Sequence, residues 1–119
     1  MSGWIGVDLD GTLAEYHGWQ GIDHIGAPVP AMVERVKRWV AEGKKVKIFT
    51  ARVSGASGDD LHAIVGPIFH WCHEHIGVRL DITCCKDFGM IELWDDRAVQ
   101  VEMNTGRRID GHPEGRATP

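Results

Sequence analysis

The apolar positions of this chain recur at two periods, and the places where one gives way to the other mark out the elements. Trp4-Ile5-Gly6-Val7 is a short apolar run that ends on Asp8, the pattern of a buried strand meeting a polar site. Over residues 29–42, Met32, Val33, Val36, Trp39 and Val40 fall at helical spacing. Pro30 stands where a first helical turn accepts proline, and Gly43 where a helix stops. Val46, Ile48 and Phe49 then predict a second strand that delivers Thr50. Strand, helix and strand in that order predict a right-handed crossover within a parallel sheet.

Residues 60–75 predict another helix, interrupted at Gly66-Pro67, where proline kinks it or starts a new one. Leu80, Ile82 and Cys84 alternate as a third strand leading to Lys86, and residues 90–94 form a fourth leading to Asp95 and Asp96. Val99, Val101 and Met103 alternate like a further strand with Asn104-Thr105-Gly106 as its turn, a short helix after Asp96 being the alternative. Asp8, Thr50, Lys86 and the Asp95-Asp96 pair thus all fall at the carboxyl ends of strands, the edge of an open α/β sheet where ligands bind.

Composition narrows the class without naming a function. At 119 residues the chain has the length of one domain. A chain of that size buries roughly two-thirds of its unfolded surface and needs no staples. Cys72, Cys84 and Cys85 are odd in number and two are adjacent, which fits a reducing compartment rather than a disulfide framework. The start, MSGWIGVDLD, lacks the features of a signal peptide, and no stretch approaches the roughly 20 apolar residues of a membrane helix. A cytoplasmic protein that does not meet the membrane is expected. The net charge of -4 exerts no global pull on nucleic acid, though Arg107 and Arg108 form a local basic pair.

The strand-end residues suggest a reaction by themselves. Carboxylates brought close together repel and require a cation or a shared proton. Oxygen-only ligands suit magnesium, which keeps several waters and binds through one or two carboxylates plus phosphate. Lys86 and Thr50 would add a positive charge and a hydroxyl donor for a tetrahedral dianion.

The same residues carry a family resemblance. DLDGT (residues 8–12) resembles the DxDGT signature of the haloacid dehalogenase-like hydrolases. KIFTAR (47–52) is similar to the second motif, Lys86 to the third, and LWDDRA (93–98) to the acidic fourth, all in the family's order. The resemblance implies a magnesium-dependent phosphatase in which Asp8 attacks phosphorus and forms an aspartyl-phosphate. Asp10 would protonate the leaving group and later activate water, its main-chain carbonyl helping to hold magnesium. Thr50 would bind phosphoryl oxygens, and Lys86 would pair with Asp8 and the phosphoryl group. Asp96 would ligate the metal directly, with Asp95 beside it. Gly11 and Thr12 would present backbone amides to phosphate, with Arg52 nearby on the substrate side. Lys86 lies only ten positions before Asp96, a shorter interval than many members show.

The fold implied is a single Rossmann-like α/β domain over residues 1–105, a central, mainly parallel sheet flanked by helices, with a flexible tail at 106–119. The insert at 13–28 is too short for a cap, so an open site is expected. Arg52, the Gly/Ser loop after it and the triplet Asp95-Asp96-Arg97 loosely resemble the phosphatase domain of polynucleotide kinase-phosphatases. The substrate classes are therefore a phosphorylated small molecule or a nucleotide or strand end, with nucleic-acid 3'-phosphatase as one alternative. A non-catalytic domain binding phosphate or a partner is the other, and the intact Asp8 and Asp10 count against it. Tyr16, His17 and Trp19 follow the first motif and border such a site, whereas Trp4, Trp39 and Trp71 are expected in the core. His70, Cys72, His73 and His75 lack a second cluster at zinc spacing and predict a solvated helix face. Cys84 and Cys85, read as strand residues, predict plain packing.

Overall fold

The computed structural model describes residues 3–110. Four strands, β1 (Trp4–Asp8), β2 (Lys45–Phe49), β3 (Asp81–Thr83) and β4 (Met90–Trp94), form one parallel sheet in the order β3-β2-β1-β4. Helix α1 (Pro30–Ala41) links β1 to β2, and α2 (Gly58–His75) links β2 to β3. Both crossovers step the same way across the sheet, so right-handedness puts both helices on one face. The register sets Ile5 beside Val46 and Val7 beside Ile48 on that face, where they pack with Val36 and Trp39 of α1 and Ile68 and Cys72 of α2. Trp94 extends this layer against Trp39, ring centroids 5.2 Å apart. This is a small α/β fold of the Rossmann-like kind, and no described helix is long and apolar enough to cross a membrane.

The opposite face carries Trp4, which the β3–β4 connection covers. Its indole N–H donates to Asp87 Oδ1 at 2.9 Å and the Lys47 ammonium stands 4.4 Å from its ring. Gly6 lies beneath this contact, where a Cβ would come within 3.1 Å of the Trp4 ring. Trp4, Trp39 and Trp71 are all buried, as expected.

Four expectations need correction. Cys72, expected on a solvated helix face with His70, His73 and His75, is instead fully buried, because α2 turns that position onto the sheet. Helix α2 continues through Pro67 as one element, so the proline starts no new helix. Proline cannot donate to the carbonyl of Ala63, but Ala63 is exposed and water can replace the donor, while Ile68, Trp71 and Cys72 hold the next turns in the core. Residues 99–103 form neither strand nor helix. A single bridge joins Val101 to Arg108, Glu102 N–H donates to the Arg107 carbonyl, and Asn104 turns the chain at φ 68°. With no neighbouring strand to pair among the described residues, the alternation of Val99, Val101 and Met103 stays exposed. The third strand stops at Thr83, two residues before Cys85, whose N–H donates to Thr83 Oγ1 at 3.0 Å and turns the chain aside. Cys84 and Cys85 therefore do not pack as strand residues.

Of the expected tail, residues 106–110 fold back on 100–102, and 111–119 lie outside the described residues. Arg107 pairs with Glu102 and Arg108 with Asp110, so the two arginines form no free basic patch.

Candidate active site

The carboxyl ends of β1, β2 and β4 open onto a cleft of about 650 Å³. Asp8, the last residue of β1, lines it together with Asp95 and Asp96 just beyond β4. These three residues each offer an oxygen within 4.8 Å of the others. The juxtaposition follows from pairing: β1 and β4 are parallel neighbours with Val7 beside Trp94, so their next residues emerge together. Asp8 is half-buried, and the pKa of its carboxyl is pushed up from an ordinary 3.8 to about 7. Burial is the largest cause, followed by a hydrogen bond with Asp96 and the charges of Asp95 and Asp96.

Thr12 ties this cluster together. Its hydroxyl accepts from the Asp96 N–H at 3.0 Å and lies 3.3 Å from Asp8 Oδ2 and 3.2 Å from Asp96 Oδ1. One hydroxyl hydrogen can serve either carboxylate, so the Thr12 side chain organises the acids. Gly11 makes the close approach possible. It sits at φ 92°, and a Cβ there would fall 2.8 Å from Asp96 Oδ2.

Thr50, 2% exposed, lines the cleft at the end of β2. Its hydroxyl accepts from the Arg52 N–H at 3.1 Å, which leaves its hydrogen to point at a ligand. Asp10 also lines the cleft, but its carboxylate stands apart from the three-acid cluster. Both of its oxygens accept from Arg52, Nε to Oδ2 and Nη2 to Oδ1, each at 2.8 Å. Arg52, expected on the substrate side, lines the cleft with its guanidinium engaged by Asp10.

Lys86 is not brought to the site. It is exposed in the β3–β4 connection and absent from the cleft lining, where Cys84 takes the corresponding place. The turn that ends β3 at Thr83 is the cause. The cleft's other cation is Arg97, whose backbone N–H donates to Asp95 Oδ1 at 2.7 Å. Tyr16 and Trp19 also line the cleft and are exposed, while His17 borders an adjoining recess beside Glu15. Ser54 and Cys84 also line the cleft; the sequence marks Ser54 only as part of the loop after Arg52 and Cys84 only as a packing residue, and their signal as site residues is position past the carboxyl ends of β2 and β3.

The insert at 13–28 is a closed loop. Val29 N–H donates to the Leu13 carbonyl and Glu15 N–H to the Ala27 carbonyl, both at 2.8 Å, and the Trp71 indole N–H donates to the Gly26 carbonyl at 3.0 Å. Its far part, from Tyr16 to His24, forms one wall of the cleft and the recess.

The donor set fits a hard divalent cation. It consists of oxygens alone, and the three acids bring one oxygen each within 4.8 Å of the others. Asp8, Asp95 and Asp96 are the residues that would hold magnesium, with the Asp10 carbonyl the expected main-chain ligand.

No family model matches this chain, and no curated protein does. Among solved structures, the fold is similar to that described as the structure of the conserved protein coded by locus from Bacteroides thetaiotaomicron. The two share 21% sequence identity over 83% of this chain and 79% of that one, with a TM-score of 0.56, a likeness of fold alone.

Proposed function

We propose that this protein is a magnesium-dependent phosphomonoester hydrolase of the haloacid dehalogenase-like type, acting through an aspartyl-phosphate on Asp8. The observation that carries the reading is the convergence of Asp8, Asp95 and Asp96 at the sheet's carboxyl edge, beside a buried threonine hydroxyl and a separately held carboxylate. Asp8, Asp95 and Asp96 would hold the cation and Asp8 is also the nucleophile; the fourth acid, Asp10, is set apart for proton transfer. Magnesium, when bound, supplies the positive charge that lets carboxylates and a phosphate dianion meet.

An Asp8 oxygen attacks phosphorus, and the bond from phosphorus to the ester oxygen breaks. Asp10 delivers a proton to the departing alcohol. It then takes a proton from the water that attacks the aspartyl-phosphate, which releases inorganic phosphate and restores Asp8. The Thr50 hydroxyl donates to a phosphoryl oxygen. Arg97 replaces the expected Lys86 as the cation beside the transferring group.

The exposed rings of Tyr16 and Trp19 favour a substrate with a flat aromatic group over a small aliphatic phosphate. A nucleotide or strand end fits that description, and such a leaving group would help exclude water from an open site. Three free cysteines fit work in the reducing cytoplasm.

Turnover of an aryl phosphate with and without magnesium tests the reading. Hydrolysis should require the metal, and Asp8→Asn should form no acid-stable phosphoenzyme. Undiminished hydrolysis by Asp8→Asn, or full activity in excess chelator, would refute it.

A further inference from the structure

We propose that Arg52 is a positioning residue, a bracket that aims the Asp10 carboxyl and couples its orientation to the 13–28 loop. The proposal rests on the phosphatase reading and assigns to Arg52 a role distinct from binding substrate.

The guanidinium is almost fully committed. Nε and Nη2 fork the two Asp10 oxygens at 2.8 Å, Nη2 also donates to the His24 carbonyl at 2.9 Å, and Nη1 reaches the Ile22 carbonyl at 3.4 Å. That occupies four of the five N–H donors an arginine has. The indole of Trp19 lies over the guanidinium, 4.8 Å from its ring centroid, and the side chain is only 5% exposed. A phosphate would find little of this cation left to bind. The backbone N–H of the same residue donates to the Thr50 hydroxyl, so one residue orients both groups assigned to the phosphoryl chemistry.

A planar fork fixes the rotation of a carboxyl group as well as its place, which a lysine ammonium cannot do. Each carboxylate oxygen keeps a second lone pair, so Asp10 can still exchange a proton with a group in the cleft it lines. The bonds to the Ile22 and His24 carbonyls carry the constraint into the loop wall. Orientation matters because a misplacement of about 1 Å can cost roughly 10²-fold in rate.

A leaving-group series separates aiming an acid from merely supporting the fold. The substrates are aryl phosphates of graded phenol acidity plus one alkyl phosphate, assayed as kcat/KM with magnesium. The enzymes are wild type, Asp10→Asn, Arg52→Lys, Arg52→Gln and the Arg52→Lys/Asp10→Asn pair. Wild type should depend weakly on leaving-group acidity and Asp10→Asn steeply. Arg52→Lys should become steep like Asp10→Asn, losing roughly 10- to 10²-fold on the alkyl ester and little on the most acidic phenol. The paired variant should be no slower than Asp10→Asn alone. Arg52→Lys keeps the charge and guards against misfolding of Arg52→Gln, with melting temperature as the check. Equal loss on all substrates, or additive losses in the pair, would show a structural role and overturn the proposal. A rise in KM with an unchanged slope would show a substrate ligand and overturn it too. If wild type hydrolyses none of the esters, the phosphatase reading itself fails.

Discussion

At the scale of single residues, the site is decided by which polar groups already have partners. Arg52 and Arg97 both border the cleft, yet Arg52 is bound to Asp10 and two carbonyls, whereas Arg97 meets Asp95 through its backbone. Exchanging charge at the two candidate cations should therefore give opposite results. Arg97→Gln is expected to lower kcat/KM for an aryl phosphate by about 10- to 10²-fold, the loss of one charge-assisted donor to the transferring group. Lys86→Gln should stay within about threefold of wild type, because an exposed lysine away from the cleft contributes little. Steady-state kinetics of both variants side by side checks this, and a larger loss in Lys86→Gln would return that lysine to the catalytic role expected from the sequence. Trp19→Ala, which would otherwise report on substrate stacking alone, also uncovers Arg52 and should slow every substrate to some degree.

At the scale of elements, the loop after the first motif forms no helix or named strand, yet hydrogen bonds fix both of its ends. It leaves and returns through paired backbone hydrogen bonds at Leu13/Val29 and Glu15/Ala27, and α2 pins it through Trp71. Gly26 is where the two sides come closest: a Cβ there would lie 2.0 Å from the Glu15 carbonyl oxygen, a backbone atom with no room to retreat. Gly26→Ala should force the neck open and destabilise the protein by about 1–3 kcal/mol, the range of overpacking. Because the wall also carries Ile22 and His24, activity should fall at temperatures where the variant is still folded. Urea unfolding and an aryl phosphate assay together test this; wild-type values for both would mean the neck opens without cost.

At the scale of the whole molecule, the acid cluster links the site to stability. Asp8 carries its proton up to about pH 7 in the native protein, while the unfolded chain releases it near 3.8. Between those values the native state binds more protons than the unfolded state, so stability falls as pH rises through the window. Metal-free protein should thus melt at progressively lower temperature from about pH 5 to pH 8, as far as Asp8 dominates. Magnesium should flatten or reverse the slope, because it favours the ionised acids and its binding releases a proton below pH 7. Melting curves in chelator and in magnesium, with calorimetry in two buffers of different ionisation enthalpy, measure both effects. A metal-free melting temperature that climbs with pH over this range would contradict the assignment. The larger architecture was legible in advance because it rests on local periodicity: apolar runs of period two and of helical spacing mark β1, α1, β2 and β4 almost to the residue. Asp8, Thr50, Asp95 and Asp96 were legible for the same reason, since a parallel sheet sends the ends of its strands to one edge whatever follows them. What depended on partners was not legible. Whether 99–103 became a strand hinged on a neighbour to pair with, and whether β3 reached Lys86 hinged on one threonine hydroxyl capturing a backbone N–H. The Asp10–Arg52 bracket spans 42 positions and forms only once the crossover has laid β2 beside β1. Periodicity along the chain determines elements and their edges; tertiary packing alone decides which charged groups find each other there.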